Sequence, residues 1–423
     1  MGIQVFKALK KKTLRLSIGS LEMVDLTVKL AGFTLRNPIV VSSCTATRDA
    51  VHMKKAVDGG ASAVVAKSLF GESGSLGRTF PRPRFKLFGY KEYPEYYMKY
   101  KSQTRNFSLW SLEEASEFGY REYVEDINKA KRLIGDDGLV IASIAGSSIE
   151  EWEDLFKLIN GSKADMCELN LSCPYAADMG IQMGSGAVDL APTITENARK
   201  NLSMPFSVKL SVFNNKDPVV SAREVEKAGA DAITFPARTS GLMIDIESGK
   251  PTAWGAIGGY GGPYLIGHGL GWVSRVAAKI SIPILATCGI WVWDDIISYI
   301  MVGATAVESG TAIMIRGYHI IKTWLRQIES FMKRKGYDSI LGIQGIAMKT
   351  LRSPDIIERA PIDVYAEIDR EKCTRCGACL RSCFYDAIIL ENTGAIVDPS
   401  KCDGCGMCVE VCPYDAAKLT LTS

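Results

Sequence analysis

The chain has 423 residues, 47% of them hydrophobic, with 50 Lys and Arg against 47 Asp and Glu and a formal net charge of +3; that length allows about three domains, or one large barrel with a small appendage. A charge this near balance excludes any global pull towards nucleic acid or anionic lipid, so partners must be read from local sites. No apolar run reaches the roughly 20 residues that span a bilayer, and the basic start MGIQVFKALKKKTLRL has too little apolar length behind it for a secretory leader, which predicts a cytoplasmic protein.

Residues 1–23 read as a basic extension. From 24 to 335, short Val, Ile and Ala-rich runs alternate with stretches of helical periodicity, the pattern of parallel strands buried on both faces. Strands are predicted over 37–44, 62–68, 138–146, 166–173, 205–212, 231–238, 283–289 and 306–313. Helices fill the intervals: 147–160 opens with Ser and carries acidic residues in its first turn, and 217–230 ends near Gly. Eight β/α units predict an α/β protein closed as a (β/α)8 TIM barrel rather than one open sheet. Two insertions, 69–117 after the second strand and a hairpin at 241–257 after the sixth, fall where loops after strands build an active site. Residues 80–110 mix seven basic residues with many aromatics, which suits a lid over a flat or anionic substrate, a nucleic-acid patch, or a surface excursion packed by its own rings.

Residues 336–368 are expected to be a linker and 369–423 a small separate domain. Of twelve cysteines, eight stand there in two copies of one run, Cys373-x2-Cys376-x2-Cys379-x3-Cys383 and Cys402-x2-Cys405-x2-Cys408-x3-Cys412-Pro413. This is the spacing that ligates paired [4Fe-4S] clusters, three thiolates wrapping one cube while the fourth reaches the other. It assigns Cys373, Cys376, Cys379 and Cys412 to one cluster and Cys383, Cys402, Cys405 and Cys408 to the second. Structural zinc favours two separated C-x2-C pairs instead. Phe384 replaces the Pro expected after the first run. The domain resembles a bacterial-type two-cluster ferredoxin, whose chemistry is one-electron transport.

At the carboxyl end of the fourth predicted strand stands Asn170-Leu171-Ser172-Cys173-Pro174, where a barrel presents catalytic groups. A thiol there can donate or accept a proton, although a lone cysteine is more often a small buried hydrophobe. Together with the ASAVVAKS strand, Lys209-Leu210, Ser240-Gly241-Leu242-Met243, Tyr260-Gly261-Gly262 and the cysteine runs, the motif resembles the FMN-containing family of dihydroorotate and dihydropyrimidine dehydrogenases. The likeness covers almost the whole chain after about residue 24.

That resemblance implies that Cys173 is the catalytic proton donor or base and that Asn170 touches flavin or substrate. It implies flavin contacts from Lys67, Ser68 and Lys209, and a phosphate site at Cys288-Gly289 and Gly310-Thr311 with Gly262 in a further loop. Both lysines would end inside the barrel, where an unpaired ammonium is costly, so either an electron-rich ligand or a barrel carboxylate must face them. The chain also departs from the family. Ala237-Arg238 stand where an Asn-Thr pair reads the pyrimidine amide, Tyr175 replaces a His, and the Asn and Glu of the long loop fall at Leu109 and Ser111. Substrate contacts are therefore expected from Tyr175, Arg238 and Thr239, with a carboxylated or otherwise anionic ring or enone as substrate, unless Arg238 is turned into a structural ion pair.

No Gly-x-Gly-x-x-Gly run opens a βαβ helix; Gly267-His268-Gly269-Leu270-Gly271 lacks that setting. Electrons must then come from a separate NAD(P)H flavoprotein subunit or a ferredoxin. The reading is an FMN-dependent iron-sulfur oxidoreductase acting on an activated C=C bond, oligomeric and without a nucleic-acid partner. Its rivals are a dihydropyrimidine dehydrogenase proper acting on uracil or thymine, a tRNA dihydrouridine synthase-like enzyme, and an electron-transfer subunit with an idle barrel.

Overall fold

A computed structural model describes residues 24–71, 84–88, 107–113, 115–172, 190–212, 217–252, 257–353 and 364–421. Eight short parallel strands, β1 (Ile39–Val41), β2 (Ala63–Val65), β3 (Leu139–Ala145), β4 (Met166–Asn170), β5 (Phe206–Lys209), β6 (Ala232–Phe235), β7 (Ile284–Ala286) and β8 (Ala306–Ser309), each pair with the next, and β8 returns to β1. The sheet closes as a TIM barrel. Each strand lies within one of the eight predicted spans. Apolar runs of this kind satisfy both the barrel interior and the helical ring outside, which is why they lack alternation.

Seven helices follow strands in turn: α1 (Ala50–Asp58), α2 (Tyr120–Ile134), α3 (Ile149–Asn160), α4 (Ala191–Asn201), α5 (Pro218–Lys227), α6 (Ile266–Ala277) and α7 (Trp293–Met301); the short α8 (Thr311–Arg316) and the long α9 (Ile320–Lys335) follow β8. Ser148 caps α3 by accepting from Glu151 N, and Asp217 caps α5 by accepting from Val219 and Val220 N. One continuous core runs from Leu26 to Ile343 and includes Trp152, Phe156, Tyr299 and Trp324.

The linker is narrower than the sequence suggests. Ile340 and Ile343 are fully buried in the barrel core, Ile340 N donates to Asp25 O at 2.8 Å, and Gln344 Nε2 donates to Ala304 O at 3.2 Å. At its other end Val364–Ile368 pairs antiparallel with Ala417–Leu421 and belongs to the C-terminal domain. Only about residues 350–363 remain to connect the two parts, and of these 354–363 lie outside the described residues.

The two insertions meet in one antiparallel sheet, in the order Thr239–Gly241, Gly258–Gly261, Ser108–Leu112, Arg84–Phe88. Trp110 fixes it: its indole is buried, Nε1 donates to Gly241 O at 3.1 Å, and it occupies the place a side chain at Gly258 would need. The predicted hairpin within 241–257 is present as Ile244–Asp245 paired with Lys250–Pro251. Most of the aromatic insertion lies outside the described residues.

The C-terminal domain has a second antiparallel pair, Ile388–Glu391 with Gly394–Val397, and two one-turn helices, Ala378–Arg381 and Met407–Glu410. Among the described residues its buried core is small: a cluster of Ala366, Ile388, Ala395 and Cys408, with Ala387, Ala416 and Ala417 also buried.

Candidate functional site

The carboxyl ends of the strands open into one cavity. In strand register Asn170 lies beside Lys209 and Lys209 beside Thr234, so the ends of β4, β5 and β6 deliver their inward side chains at one level. The cavity is lined by Lys67, Ser68, Asn170, Lys209, Arg238, Gly262, Cys288, Gly289, Gly310 and Thr311, all of them expected from the sequence. Cys173 and Tyr175 lie outside the described residues; Ser172, which immediately precedes Cys173, is on the cavity wall. Thr239 is not on that wall. It sits in the insertion sheet, and its hydroxyl donates to Ser240 O at 3.2 Å.

Two sets of charges face the cavity. In the first, Glu113 stands between Lys67 Nζ at 3.6 Å and Arg238 Nη1 at 3.1 Å and accepts from the backbone N and hydroxyl of Thr45, both at 2.8 Å. Burial works against its charge, but the ammonium, the guanidinium and the Thr45 bonds outweigh it and hold the carboxyl down at about 2. Arg238 Nη1 also donates to Ser111 Oγ at 2.5 Å. The ion-pair alternative for Arg238 is thus realised, while the guanidinium still lines the cavity.

In the second set the composition is inverted. Lys209 Nζ lies 3.2 Å from Glu168 Oε1 and 3.0 Å from Glu308 Oε2, both side chains wholly buried. Burial favours the neutral amine, yet the two glutamates hold the ammonium well above its ordinary value. The barrel carboxylates that face Lys209 are therefore its own, and the need for an anionic ligand there disappears. Ser68 Oγ accepts from Asn170 Nδ2 at 3.1 Å, and Asn170 Oδ1 accepts from Ser172 N and Oγ, which fixes the amide with its oxygen towards the loop that continues to Cys173.

The wall after β7 and β8 is backbone. Cys288 and Gly289 have φ of +73° and +77°, a left-handed turn in which a side chain at position 289 would lie 2.4 Å from Ile266 N. The Tyr299 hydroxyl, 2.8 Å from Thr287 O and 2.6 Å from Cys288 O, clamps the turn from behind. Beside it, at the end of β8, Ser309 Oγ is buried and has no partner among the described residues. A cavity with bare backbone on one wall, an orphaned hydroxyl and lysine and amide donors elsewhere fits a polar cofactor with a phosphate tail.

In the C-terminal domain a hollow is bordered by Cys373, Cys376, Cys379 and Cys412, the set assigned to one cluster from spacing. Backbone amides of Ala395, Ala366 and Ala416 donate to the sulfurs of Cys373, Cys402 and Cys412 at 3.5, 3.4 and 3.2 Å, bonds that favour thiolates. Among the described residues no three His, Cys, Asp or Glu side chains converge as they would on a single ion. Thiols spaced around a hollow suit a multi-atom cluster.

Sequence reasoning missed Glu113, Glu168, Glu308 and Ser309. For Glu168 in MCELN and Glu308 in AVES a signal existed: an acid inside a strand buried on both faces must point at a partner. Glu113 had none, because its position depends on how the insertion folds.

The profile of the dihydroorotate dehydrogenase family matches residues 115–332, and that of the 4Fe-4S dicluster domain residues 366–419. The catalytic subunit of dihydroorotate dehydrogenase B (NAD(+)) from Thermoplasma acidophilum is 30% identical over 327 residues, 77% of this chain and 100% of that protein. Its counterpart from Methanosarcina mazei is 31% identical over 319 residues, 75% and 94%. The NAD-dependent dihydropyrimidine dehydrogenase subunit PreA of Escherichia coli is 26% identical over 370 residues, 85% of each. The chain belongs to the dihydroorotate dehydrogenase family and carries a 4Fe-4S dicluster domain. It is an oxidoreductase that uses FMN and two [4Fe-4S] clusters. Among the described residues no helix is long and apolar enough to cross a membrane.

Proposed function

We propose that the chain reduces, or reversibly oxidises, the activated C=C bond of a cyclic substrate that bears a carboxylate or similar negative charge, drawing electrons through its clusters from a separate donor. The observation that carries this reading is Arg238 on the cavity wall. Ser111 and Glu113 hold the guanidinium at that wall, and its planar fork matches a carboxylate. The relatives named for dihydroorotate, a carboxylated ring, support it. A second reading, a dihydropyrimidine dehydrogenase proper acting on uracil or thymine, is favoured by the longer PreA match, 370 residues against 327. Both kinds of relative are named as subunits of NAD-dependent enzymes, which supports a partner NAD(P)H flavoprotein subunit as donor; a ferredoxin would serve the same clusters.

Bound FMN supplies hydride transfer to or from carbon. For their part, Gly262, the Cys288-Gly289 turn and Gly310-Thr311 hold its phosphate, with Ser309 Oγ as a further donor, and Lys67, Ser68 and Asn170 face its ring. Arg238 orients the substrate charge, with Tyr175 as a further contact. Cys173 delivers the proton to the carbon opposite the hydride.

The test has two arms. Anaerobic protein, chemically reduced, is mixed with orotate, uracil, thymine and cyclic enone carboxylates while flavin absorbance is followed. A carboxylated ring should reoxidise it; uracil or thymine doing so while every acid fails would hand the site to the second reading. With the active compound, Cys173→Ala should slow double-bond reduction by roughly 10² to 10⁴ and leave flavin reduction by the clusters unchanged. Normal turnover in that variant would remove Cys173 from the mechanism.

A further inference from the structure

The inverted charge set inside the barrel does more than neutralise a lysine. Glu168 and Glu308 both reach Lys209 Nζ and are hydrogen-bond neighbours of each other, and the Thr234 hydroxyl lies 3.0 Å from Glu168 Oε2 and 3.4 Å from Glu308 Oε1. Two carboxylates against one ammonium leave one negative charge over. In a wholly buried place such a charge is costly enough that the group takes up a proton instead. Burial first, and then the nearby Glu168, push Glu308 up to about 8. The other titratable groups around the set supply no countercharge: Cys167 and Tyr123 beside Glu168, and Cys44 and Cys288 near Lys209, are held protonated by burial. Across the cavity Lys67, Arg238 and Glu113 form their own set.

A chain of hydroxyls leads out. Ser143 Oγ donates to Glu168 Oε1 at 3.3 Å, Ser68 Oγ is 2.8 Å from Ser143 Oγ, and Ser43 Oγ is 3.1 Å from Ser68 Oγ. A hydroxyl has one hydrogen. Donation by Ser143 to Glu168 therefore obliges Ser68 to donate to Ser143, and Ser43 to Ser68. Ser43 and Ser68 line the cavity, so the three hydrogens point from the cavity wall to the carboxylate pair.

We propose that Glu168 and Glu308 share one proton across Lys209 as the barrel's internal proton store, exchanging it with the cavity along Ser143, Ser68 and Ser43. When a proton is taken up, Ser43 Oγ accepts it from the cavity as its own passes to Ser68, Ser68's passes to Ser143, and Ser143's passes to Glu168 Oε1; the hydrogens then point outward, and release is the reverse of these steps. Each hydroxyl breaks one O–H bond and forms another, no electron moves, and only the carboxyl changes charge. The proposal does not depend on which ring the cavity accepts.

Infrared difference spectroscopy on the holoprotein, in H2O against D2O and across pH, reads the C=O stretch of a buried protonated carboxyl. Wild type should show this band at neutral pH and lose it as pH rises through about 8. Both Glu308→Gln and Glu168→Gln should abolish it, since each leaves one carboxylate facing one ammonium; retained flavin and iron report that the variants are folded. Asp126 on α2, a half-buried acid that desolvation also pushes up, should contribute equally to every variant. Loss of the band in only one of the two variants would overturn the sharing. Its absence from wild type at neutral pH would overturn the store without any variant. Ser143→Ala should keep the band and slow its deuterium exchange several-fold, and unchanged exchange would overturn the route.

Discussion

In the barrel, the side chains that face the cavity are held by strands and helices packed around one core from Leu26 to Ile343, whereas among the described residues the C-terminal domain buries a few small side chains, Ala366, Ala387, Ala395, Ala416 and Ala417, with Ile388 and Cys408. The difference lies in what does the positioning. Lys209 and Thr234 meet because strand register puts them at one level of a closed sheet, with Glu168 paired to Ser207 two residues below, and they would meet with the cavity empty. The eight thiols have no such scaffold. A domain this small rarely folds on its apolar burial alone, so the free energy of cluster ligation must supply what the core lacks.

The sharpest way to break that comparison is to remove the iron. Anaerobic chelation should abolish amide exchange protection across 364–421 and leave the barrel strands protected, read by hydrogen-exchange mass spectrometry. Protection that persisted over Val364–Ile368 and Ala417–Leu421 without iron would show that the small core suffices after all.

The same contrast explains which parts were legible in the sequence. The cysteine runs were, because a cluster dictates spacing locally; the cavity wall beside Cys373 gathers the four thiols that spacing assigned. The eight barrel strands were, because burial on both faces writes an unbroken apolar run. The insertion sheet was not: Trp110 of Ser108–Leu112 lies opposite Tyr260, and no local pattern announces a pairing across so many residues. Nor was the packing of Ile340 and Ile343, two apolar residues in a stretch without periodicity, which reads as a linker until the barrel is present to bury them. Glu113 is the functional cost of that limit, since the insertion sheet alone brings it to Lys67 and Arg238.

Glu113 also supplies the next test, on the barrel side. Its carboxyl is held at about 2, below the ordinary 4.5. A depressed carboxylate contributes stability that is present above pH 4.5 and lost as the pH falls towards 2. Glu113→Gln should therefore cost about 3 kcal/mol at neutral pH, the value of that shift, and flatten the stability profile in the acid window. Chemical denaturation of the barrel at successive pH values measures both. The iron content should not change, because no cluster ligand depends on this carboxylate. An acid profile identical to that of wild type would mean that Lys67 and Arg238 do not favour the charge.

The smallest effect gives the finest comparison, because it applies matched backbone perturbations to the two parts. Asp217→Ala removes the side chain that accepts from Val219 N at 2.9 Å and Val220 N at 3.2 Å, leaving donors of the first turn of α5 unsatisfied, a loss of about 1 kcal/mol. Gly406→Ala places a side chain at φ +79°, a left-handed conformation that costs an L-residue about 1–2 kcal/mol. Space is not the issue there, since the added Cβ would meet only Leu419 Cδ1 at 3.5 Å. In the barrel, α5 packs on a large cooperative core, so the cap variant should lower the unfolding midpoint slightly and leave cluster loss at its original rate. In the C-terminal domain, Gly406 lies between the ligands Cys405 and Cys408, and the strain should appear as faster loss of iron to a chelator with no change in the barrel midpoint. If Gly406→Ala lowered the barrel midpoint while iron loss kept its original rate, the two parts would be stabilised as one unit, and the division between a scaffold that positions its site and a site that builds its own scaffold would fall.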